Sequence, residues 1–443
     1  MALKGLDIFK LTPKTNCKEC GNPTCMAFAM KVAQGALSLD KCPHMSDEAV
    51  ASLSEATAPP MKTITVGDIK LGGETVLSRH EKTFVSKTMY AAKVCDCMEA
   101  AELDAKLAAI PAVDYERIGE RMYVEMVYVK HCCDKSAEDY VALVNKVKEL
   151  GRPMILGCKC ADAAKAALEA AKGCDVILDG ANEENVEAMN ALATEYKVVL
   201  GVSAANLDAL YDTVAKLEGL GNKNLVINVA AETLKDAFAN AVQIRRAAIK
   251  DTDRTFGYPS IVDVTAYAET PEMETALAAL FTCKYGSIVV MSGMNYAQAL
   301  PLYGMRQNIF TDPQKPMKVE PGIYPLNGAD ENSVCLITVD FALTYFVVSG
   351  EVERSAVPTN LLITDAGGYS VLTAWAAGKL SASSIAKFIT EGGIAEKVKS
   401  RTLVLPGKVA VLKGELEAKL PDWKIVVGPA EAVQLVQFLK EYK

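Results

Sequence analysis

At 443 residues, half of them hydrophobic, the chain is too long for one ordinary core and is expected to divide into two or three domains. Its 47 basic and 55 acidic residues leave a net charge of -8, which argues against a phosphate-backbone partner, so nucleic acid is not expected. Thirteen cysteines and no recognisable secretory leader point to a reducing, cytoplasmic and oxygen-poor setting, not to a disulfide framework.

The first stretch with chemical content is Cys17-Lys18-Glu19-Cys20-Gly21-Asn22-Pro23-Thr24-Cys25, closed later by Cys42-Pro43. Four thiolates gathered within 26 residues have one economical use in a reduced cell, which is to hold an inorganic centre. Gly21 and Pro23 shape the turn between the second and third ligands, and Met26 to Leu37 reads as an Ala-rich helix that lies over the centre. Zinc is the alternative, but structural zinc sites usually bring a second Cys-x-x-Cys or a His pair, and none is present here. The stronger reading is a 4Fe-4S cluster on Cys17, Cys20, Cys25 and Cys42, whose chemistry is one-electron transfer.

Ser52 to Pro60 is small, polar and ends in a Pro pair, which marks a first domain boundary. From Lys62 onward, short β-branched runs alternate with Ala-rich helical stretches, the signature of repeated βα units and a parallel sheet. Strands are expected at Met89 to Val94, Met122 to Val129, Pro153 to Gly157, Asp175 to Asp179, Lys197 to Val202, Asn224 to Val229, Ser260 to Val264 and Ser287 to Met291. Helices follow them, among others at Glu183 to Glu195, Asn206 to Leu217, Ala231 to Ile249 and Pro271 to Phe281. Eight such units in about 250 residues match a closed (β/α)8 TIM barrel, with an open doubly wound sheet as the runner-up. Tyr285 to Met305 is the longest uncharged run, but Gly286, Gly293, Pro301 and Gly304 interrupt it, so it reads as barrel strand plus helix and not as a membrane span.

The pattern breaks over Thr311 to Gly328, rich in Pro and Gly, which places a second boundary there. Beyond it, strands are expected at Val334 to Val339, Ala342 to Val348, Asn360 to Thr364, Thr402 to Leu405 and Lys424 to Val427. Helices are expected at Ser370 to Ala377, Ser383 to Thr390 and Pro429 to Tyr442. The whole is an α/β chain with an N-terminal cluster domain (1–57), a TIM barrel (60–312) and a small three-layer α/β domain (326–443).

In that last domain, Thr364-Asp365-Ala366-Gly367-Gly368-Tyr369-Ser370 leads from a strand into a helix, and Val427-Gly428-Pro429-Ala430 does the same. Each turn alone is a weak signal, since neither a Walker lysine nor a dinucleotide fingerprint accompanies it. Two turns at one edge of a parallel sheet nevertheless make a crevice, the usual ligand position in open α/β domains. The only histidines are His44, His80 and His131, so this domain offers no imidazole to a metal.

In the barrel, Cys95/Cys97, Cys132/Cys133 and Cys158/Cys160 fall at the C-terminal ends of the first three strands, where barrel enzymes place chemistry. A second metal site there with His131 is conceivable, although small residues buried in a reduced protein are commoner. Asp96, Asp179, Asn228 and Asp263 also lie near strand ends. They read more readily as caps for loop amides than as a polar-ligand site.

Taken together, Met1 to Phe9, the Cys17, Cys20, Cys25 and Cys42 spacing, Arg306-Gln307-Asn308 with Thr311-Asp312-Pro313-Gln314, Leu343-Thr344-Tyr345 and Ser370-Val371-Leu372-Thr373-Ala374 carry a resemblance. The chain resembles the large (gamma) subunits of the corrinoid iron-sulfur proteins of the reductive acetyl-CoA pathway, over essentially its whole length. The resemblance implies a 4Fe-4S domain, a TIM barrel and a C-terminal corrinoid-binding domain. It also implies a heterodimer with a small barrel subunit, the corrin lying between the two. Expected around the cofactor are Thr338, Asp340, Thr344, Phe346, Gly368, Ser370, Val371, Leu372, Thr373, Ala374, Gly428, Pro429 and Ala432.

The implied activity is methyl carriage. Base-off Co(I) accepts a methyl group from methyltetrahydrofolate through a separate methyltransferase and delivers it to acetyl-CoA synthase, while the cluster, with a reductive activator protein, rescues Co(II). A domain without histidine suits that role, because no imidazole ties the lower face of the cobalt. Pro313 to Pro325 is the expected hinge for moving the cofactor between partners. Two other readings are an iron-sulfur electron-transfer or scaffold subunit without corrinoid, and a barrel methyltransferase that binds a pterin through Asp179, Asn228 and Asp263.

Overall fold

The computed structural model describes residues 5–33, 37–46, 49–50, 59–132, 134–229, 231–311 and 317–442. Most of the expected first boundary and residues 313–316 of the expected hinge lie outside the described residues. The chain divides into two compact units. One comprises Met1–Leu77, Val85–Ala112 and Val124–Gln298; the other comprises Ser78–Phe84, Val113–Tyr123 and Ala299–Lys443.

The first unit opens with two short helices, Gly5–Lys10 and Cys25–Ala33. Cys25, Phe28, Ala29 and Val32 recur at helical spacing on the buried side of the second, and Phe28, Ala29 and Val32 join Ile8, Leu39 and Cys42 in one small apolar cluster. An antiparallel hairpin follows, β1 (Thr63–Val66) and β2 (Ile69–Gly72), turning at Gly67 with φ +55°.

Eight parallel strands then close into a barrel. They are β3 (Met89–Cys95), β6 (Met126–Lys130), β7 (Met154–Gly157), β8 (Val176–Ala181), β9 (Val199–Val202), β10 (Leu225–Asn228), β11 (Ser260–Asp263) and β12 (Ile288–Met291). Closure is made where β12 pairs with β3, Ile288 opposite Met89 and Met291 opposite Ala92. That pairing decides between the barrel and the open sheet, since an open sheet leaves its two edge strands unpaired. β7, β9 and β12 are buried along their full length, as expected where helices cover one side of a parallel sheet and packed side chains fill the other. Many of the helices start on side-chain caps: Ser136, Asn206, Thr233 and Thr270 each accept an N–H from the first turn.

The expected strand Met122 to Val129 is in fact two. Met122 belongs to a second hairpin, β4 (Asp114–Arg117) and β5 (Glu120–Tyr123), while the barrel strand begins at Met126. The hairpin turns on Ile118-Gly119, both at positive φ, the conformation a two-residue turn needs to match strand twist. It belongs to the second unit, where the Tyr303 hydroxyl donates to the Tyr123 carbonyl at 2.5 Å and the Gln307 amide donates to the Arg117 carbonyl at 2.8 Å.

The second unit is built on a five-stranded sheet in the order β13 (Gly322–Leu326), β15 (Thr359–Thr364), β14 (Val334–Val339), β16 (Thr402–Leu405) and β17 (Lys424–Val427). All neighbours are parallel except β13, which runs antiparallel to β15. Alternate residues feed two separate cores. Cys335, Ile337 and Val339 of β14 enter one with Ile385 and Leu416, while Leu336 enters the other with Val352 and Leu439. The sheet is therefore covered by helices on both faces, a three-layer arrangement.

Two expectations fail here. Ala342 to Val348 is not a strand but the start of a helix, Ala342–Ser355. Its β-branched and aromatic residues favour a strand locally, yet Ala342, Ser349, Val352 and Ser355 recur at helical spacing and are buried, so packing against the sheet overrides propensity. The irregular stretch up to Gly328, which includes part of the expected hinge, contains β13; its Pro325 sits on an edge strand, where a missing N–H is tolerated. Among the described residues no helix is long and apolar enough to cross a membrane.

Both tryptophans, Trp375 and Trp423, lie in the second unit, so their fluorescence follows its unfolding. Val352→Ala, at the core face of the helix, is expected to cost about 2 kcal/mol in denaturant unfolding. Val347→Ala, on the half-exposed side, is expected to stay within about 0.5 kcal/mol.

Candidate functional site

Two constellations stand out, one in each unit. In the N-terminal segment, Lys14, Asn16, Lys18 and Gly21 all adopt left-handed backbone, φ +57°, +49°, +67° and +73°. Three of these four residues are not glycine and accept the strain, and such conformations turn successive N–H groups toward a concave centre of the kind that holds anions and iron-sulfur clusters. The Asn16 N–H donates to Cys25 Sγ at 3.4 Å, while its side-chain Oδ1 accepts the Cys25 N–H at 2.8 Å. The Asn22 amide donates to the Cys20 carbonyl at 3.0 Å and reaches Cys20 Sγ at 3.7 Å. Cys17 is exposed, Cys20 half-buried, Cys25 and Cys42 buried.

Among the described residues, no three of these sulfurs converge to within 4.8 Å of one another. Cys17 does meet Glu19 and His44, which pair with each other at 2.9 Å.

In the second unit, the C-terminal ends of the parallel strands open on a cavity of about 340 Å³. Its wall takes Leu336 and Thr338 from β14, Phe341, Leu343, Thr344, Val347 and Val348 from the following helix, Ser370, Val371 and Leu372 from the glycine-rich turn, and Leu405, Pro406 and Lys408 beyond β16. Gly428, Pro429, Ala432 and Leu435 complete it beyond β17. The wall is mainly apolar, and none of the three histidines is on it. Thr338 is the exception within its depth: it is buried, and its hydroxyl has no hydrogen-bond partner. An orphaned hydroxyl of this kind costs stability unless a ligand satisfies it.

The loop that shapes this cavity is held from beneath. Asp340, buried at the end of β14, accepts the Ala366 N–H at 2.9 Å and the Gly368 N–H at 3.0 Å through the same oxygen. Lys318 bridges Asp340 and Asp365 at 3.2 and 3.3 Å. The Gly367 N–H, and then Lys318, hold the Asp365 carboxyl below the usual carboxylate range. Gly407 lies against the other turn, where a Cβ would come within 2.6 Å of the Gly428 carbonyl oxygen.

Of the residues expected at a cofactor, Thr338, Thr344, Ser370, Val371, Leu372, Gly428, Pro429 and Ala432 line the cavity. The others are placed elsewhere. Asp340 and Gly368 form the hydrogen bonds beneath the loop, and Thr373 shares a 3.0 Å hydroxyl contact with Ser370. Ala374 is buried in the core, and Phe346 faces the Arg117 guanidinium at 4.7 Å. The sequence reading missed Leu343 and Val347 as wall residues. Their spacing of four is the signal, and it was legible only if the segment was read as a helix.

At the barrel mouth, the Asp179 carboxylate accepts from the Tyr128 hydroxyl at 2.8 Å and from Asn228 at 2.9 Å. Burial pushes its carboxyl above the usual range. Asp263 accepts from Lys93 at 2.5 Å and caps the Thr265 N–H. Both of those bonds to Asp179 fall on Oδ2, and its Oδ1 is buried without a hydrogen-bond partner. Asp96 likewise caps a loop amide, taking the Cys132 N–H at 2.9 Å.

The model of the CO dehydrogenase/acetyl-CoA synthase delta subunit family matches residues 64–439, and an Fe-S cluster model matches residues 13–44. A corrinoid/iron-sulfur protein large subunit from Moorella thermoacetica is 39% identical over 444 aligned residues, covering 99% of each chain. The chain belongs to this family. Other members similar to it are the gamma subunits of acetyl-CoA decarbonylase/synthase complexes. That of Methanothermobacter thermautotrophicus is 31% identical with 99% of each chain covered, and gamma 2 of Methanosarcina thermophila is 33% identical with 97% and 96% covered.

Removing the Asp340 carboxylate leaves two loop N–H groups buried without an acceptor. Asp340→Ala is expected to lower the stability of the second unit by about 2–3 kcal/mol, against about 1 kcal/mol for Asp340→Asn, which keeps one acceptor oxygen. Denaturant titration followed by tryptophan fluorescence measures the difference.

Proposed function

We propose that the chain is the large subunit of a corrinoid iron-sulfur methyl carrier. In this reading Cys17, Cys20, Cys25 and Cys42 hold a 4Fe-4S cluster, and the cavity under Thr338, Ser370 and Gly428 receives one face of a base-off corrinoid. What supports it most is an apolar, imidazole-free cavity at the strand ends, lined by Thr338, Ser370 and Gly428, in a chain that matches a protein named as a corrinoid/iron-sulfur large subunit along its whole length. When bound, the corrinoid supplies a cobalt centre for methyl transfer and the cluster supplies one-electron reduction to reactivate it.

The chain's own contribution is to bind, orient and exclude water. Leu336, Val371, Leu372 and Leu405 give the cavity an apolar wall against which a flat macrocycle loses water. Thr338 and Ser370 would line the bound corrinoid without offering its cobalt an imidazole or thiolate ligand. Asp340 keeps the turn bearing Ser370 in one conformation. In the N-terminal segment, N–H···S contacts to Cys20 and Cys25 favour the more negative, reduced state of a cluster. Leu343, Val347 and Leu372 remain 62%, 48% and 47% exposed at the cavity, an apolar rim that suits cover by a second subunit. The partners in this reading are a small barrel subunit, a methyltetrahydrofolate methyltransferase, acetyl-CoA synthase and a reductive activator.

The test is metal analysis of the anaerobically purified heterodimer, with about four irons and one cobalt expected. Val371→Trp, which fills the cavity, is expected to lower cobalt at least ~10-fold with iron unchanged, and Cys42→Ser to do the reverse. Iron without cobalt in the unaltered complex, or cobalt insensitive to Val371→Trp, overturns the corrinoid reading and leaves an electron-transfer or scaffold subunit.

A further inference from the structure

Three sulfurs converge at the C-terminal rim of the barrel, apart from both sites above. Cys95 ends β3, Cys97 follows in the next turn, and the structure pairs the two. Cys132 arrives just beyond β6 with its Sγ 3.0 Å from that of Cys95. All three sulfurs lie within 4.8 Å of one another. A disulfide uses two of the sulfurs and leaves the third, Cys132, close against them without a covalent partner. One thiophilic cation serves all three in the reduced chain, because thiolates at about 2.3 Å from a tetrahedral ion sit about 3.8 Å apart.

The surroundings hold the convergence in place. The Asp96 side chain is fully buried; one oxygen takes the Cys132 N–H at 2.9 Å and the other meets His131 Nδ1 at 2.6 Å. This ties the turn after β3 to the turn after β6. His131 is itself buried and packs on the Tyr140 ring at 4.7 Å, so the clamp is fixed in turn. The Cys97 N–H donates to Cys95 Sγ at 3.3 Å. Cys97 is exposed and Cys132 half-buried, so an ion bound here keeps a fourth position open to water.

We propose that Cys95, Cys97 and Cys132 form a mononuclear site for a thiophilic divalent cation, zinc in the first instance, with Asp96 as the positioning residue. Binding requires the three sulfurs as thiolates, and their protons pass to solvent as the ion enters. Carboxylate clamps of this kind, one bond removed from the ligands, set the geometry of the ligands they hold.

The full-length chain, purified with a thiol reductant and stripped by a chelator, is given excess zinc and desalted. One zinc per chain is expected, with three sulfur neighbours at about 2.3 Å by X-ray absorption. Cys97→Ser and Cys132→Ser are expected to lose at least ~10-fold in zinc affinity, and Asp96→Asn about 10- to 100-fold with all three sulfurs still in place. Cys160→Ser and Cys17→Ser are expected to change nothing at this site. The proposal is overturned if the Cys95/Cys97/Cys132 triple serine variant keeps its zinc, if Cys17→Ser loses it instead, or if the unaltered reduced chain binds none. The X-ray absorption of the unaltered chain decides the question even where a variant does not fold.

Discussion

A carboxylate placed just beyond a strand end, sealed from water and gripping the amides of the neighbouring loop, governs how the second unit presents its cavity. Asp340 gathers the N–H groups of Ala366 and Gly368 on one oxygen, which fixes Gly367 and Gly368 in left-handed backbone and aims the turn with Ser370 along the cavity wall. A buried acceptor with defined donors is worth more than a surface one because nothing in the interior replaces it. Asp96 repeats the device at the rim of the barrel, one residue past β3, where it holds the turn after β6. In both places a single acidic residue converts a mobile connection into a defined edge of a site.

Much of this was legible in the amino-acid sequence, for identifiable reasons. Barrel strands such as Met154–Gly157 are buried on both sides and so read as unbroken apolar runs between Ala-rich helices. The thiolates at 17, 20, 25 and 42 announce themselves by spacing, but the amides and backbone that serve them do not; Asn16 and Asn22 look like ordinary loop residues until the chain is folded. Ala342–Ser355 was misread because Val, Phe and Tyr favour strands locally, while the evidence for a helix lies in which positions are buried. That single misreading hid Leu343, Val347 and Val348, which with the expected Thr344 form one side of the cavity. Phe346 and Ala374 illustrate the limit of resemblance: Thr344, Ser370, Val371 and Leu372 line the cavity, while local packing turns Phe346 toward Arg117 and Ala374 into the core.

The distribution of histidine links composition to chemistry. No imidazole reaches the cavity wall, and the deep polar group there is a hydroxyl, which donates and accepts hydrogen bonds but binds metals weakly. Sulfur is distributed differently: four thiols lie in the N-terminal segment, more crown the barrel, and Cys335 is buried in the core, where burial pushes its thiol up to about 12 and makes it inert.

The short antiparallel strand Gly322–Leu326 has an effect beyond completing the sheet. It covers the flank of Thr359–Thr364, which would otherwise offer a full row of backbone donors and acceptors to any passing extended segment. Pro325 removes one donor from the new border, so a template that remains is brief and imperfect. The unit is in this way protected against ribbon-like self-association along that side, which leaves its exposed apolar rim as the more inviting place for another molecule to attach.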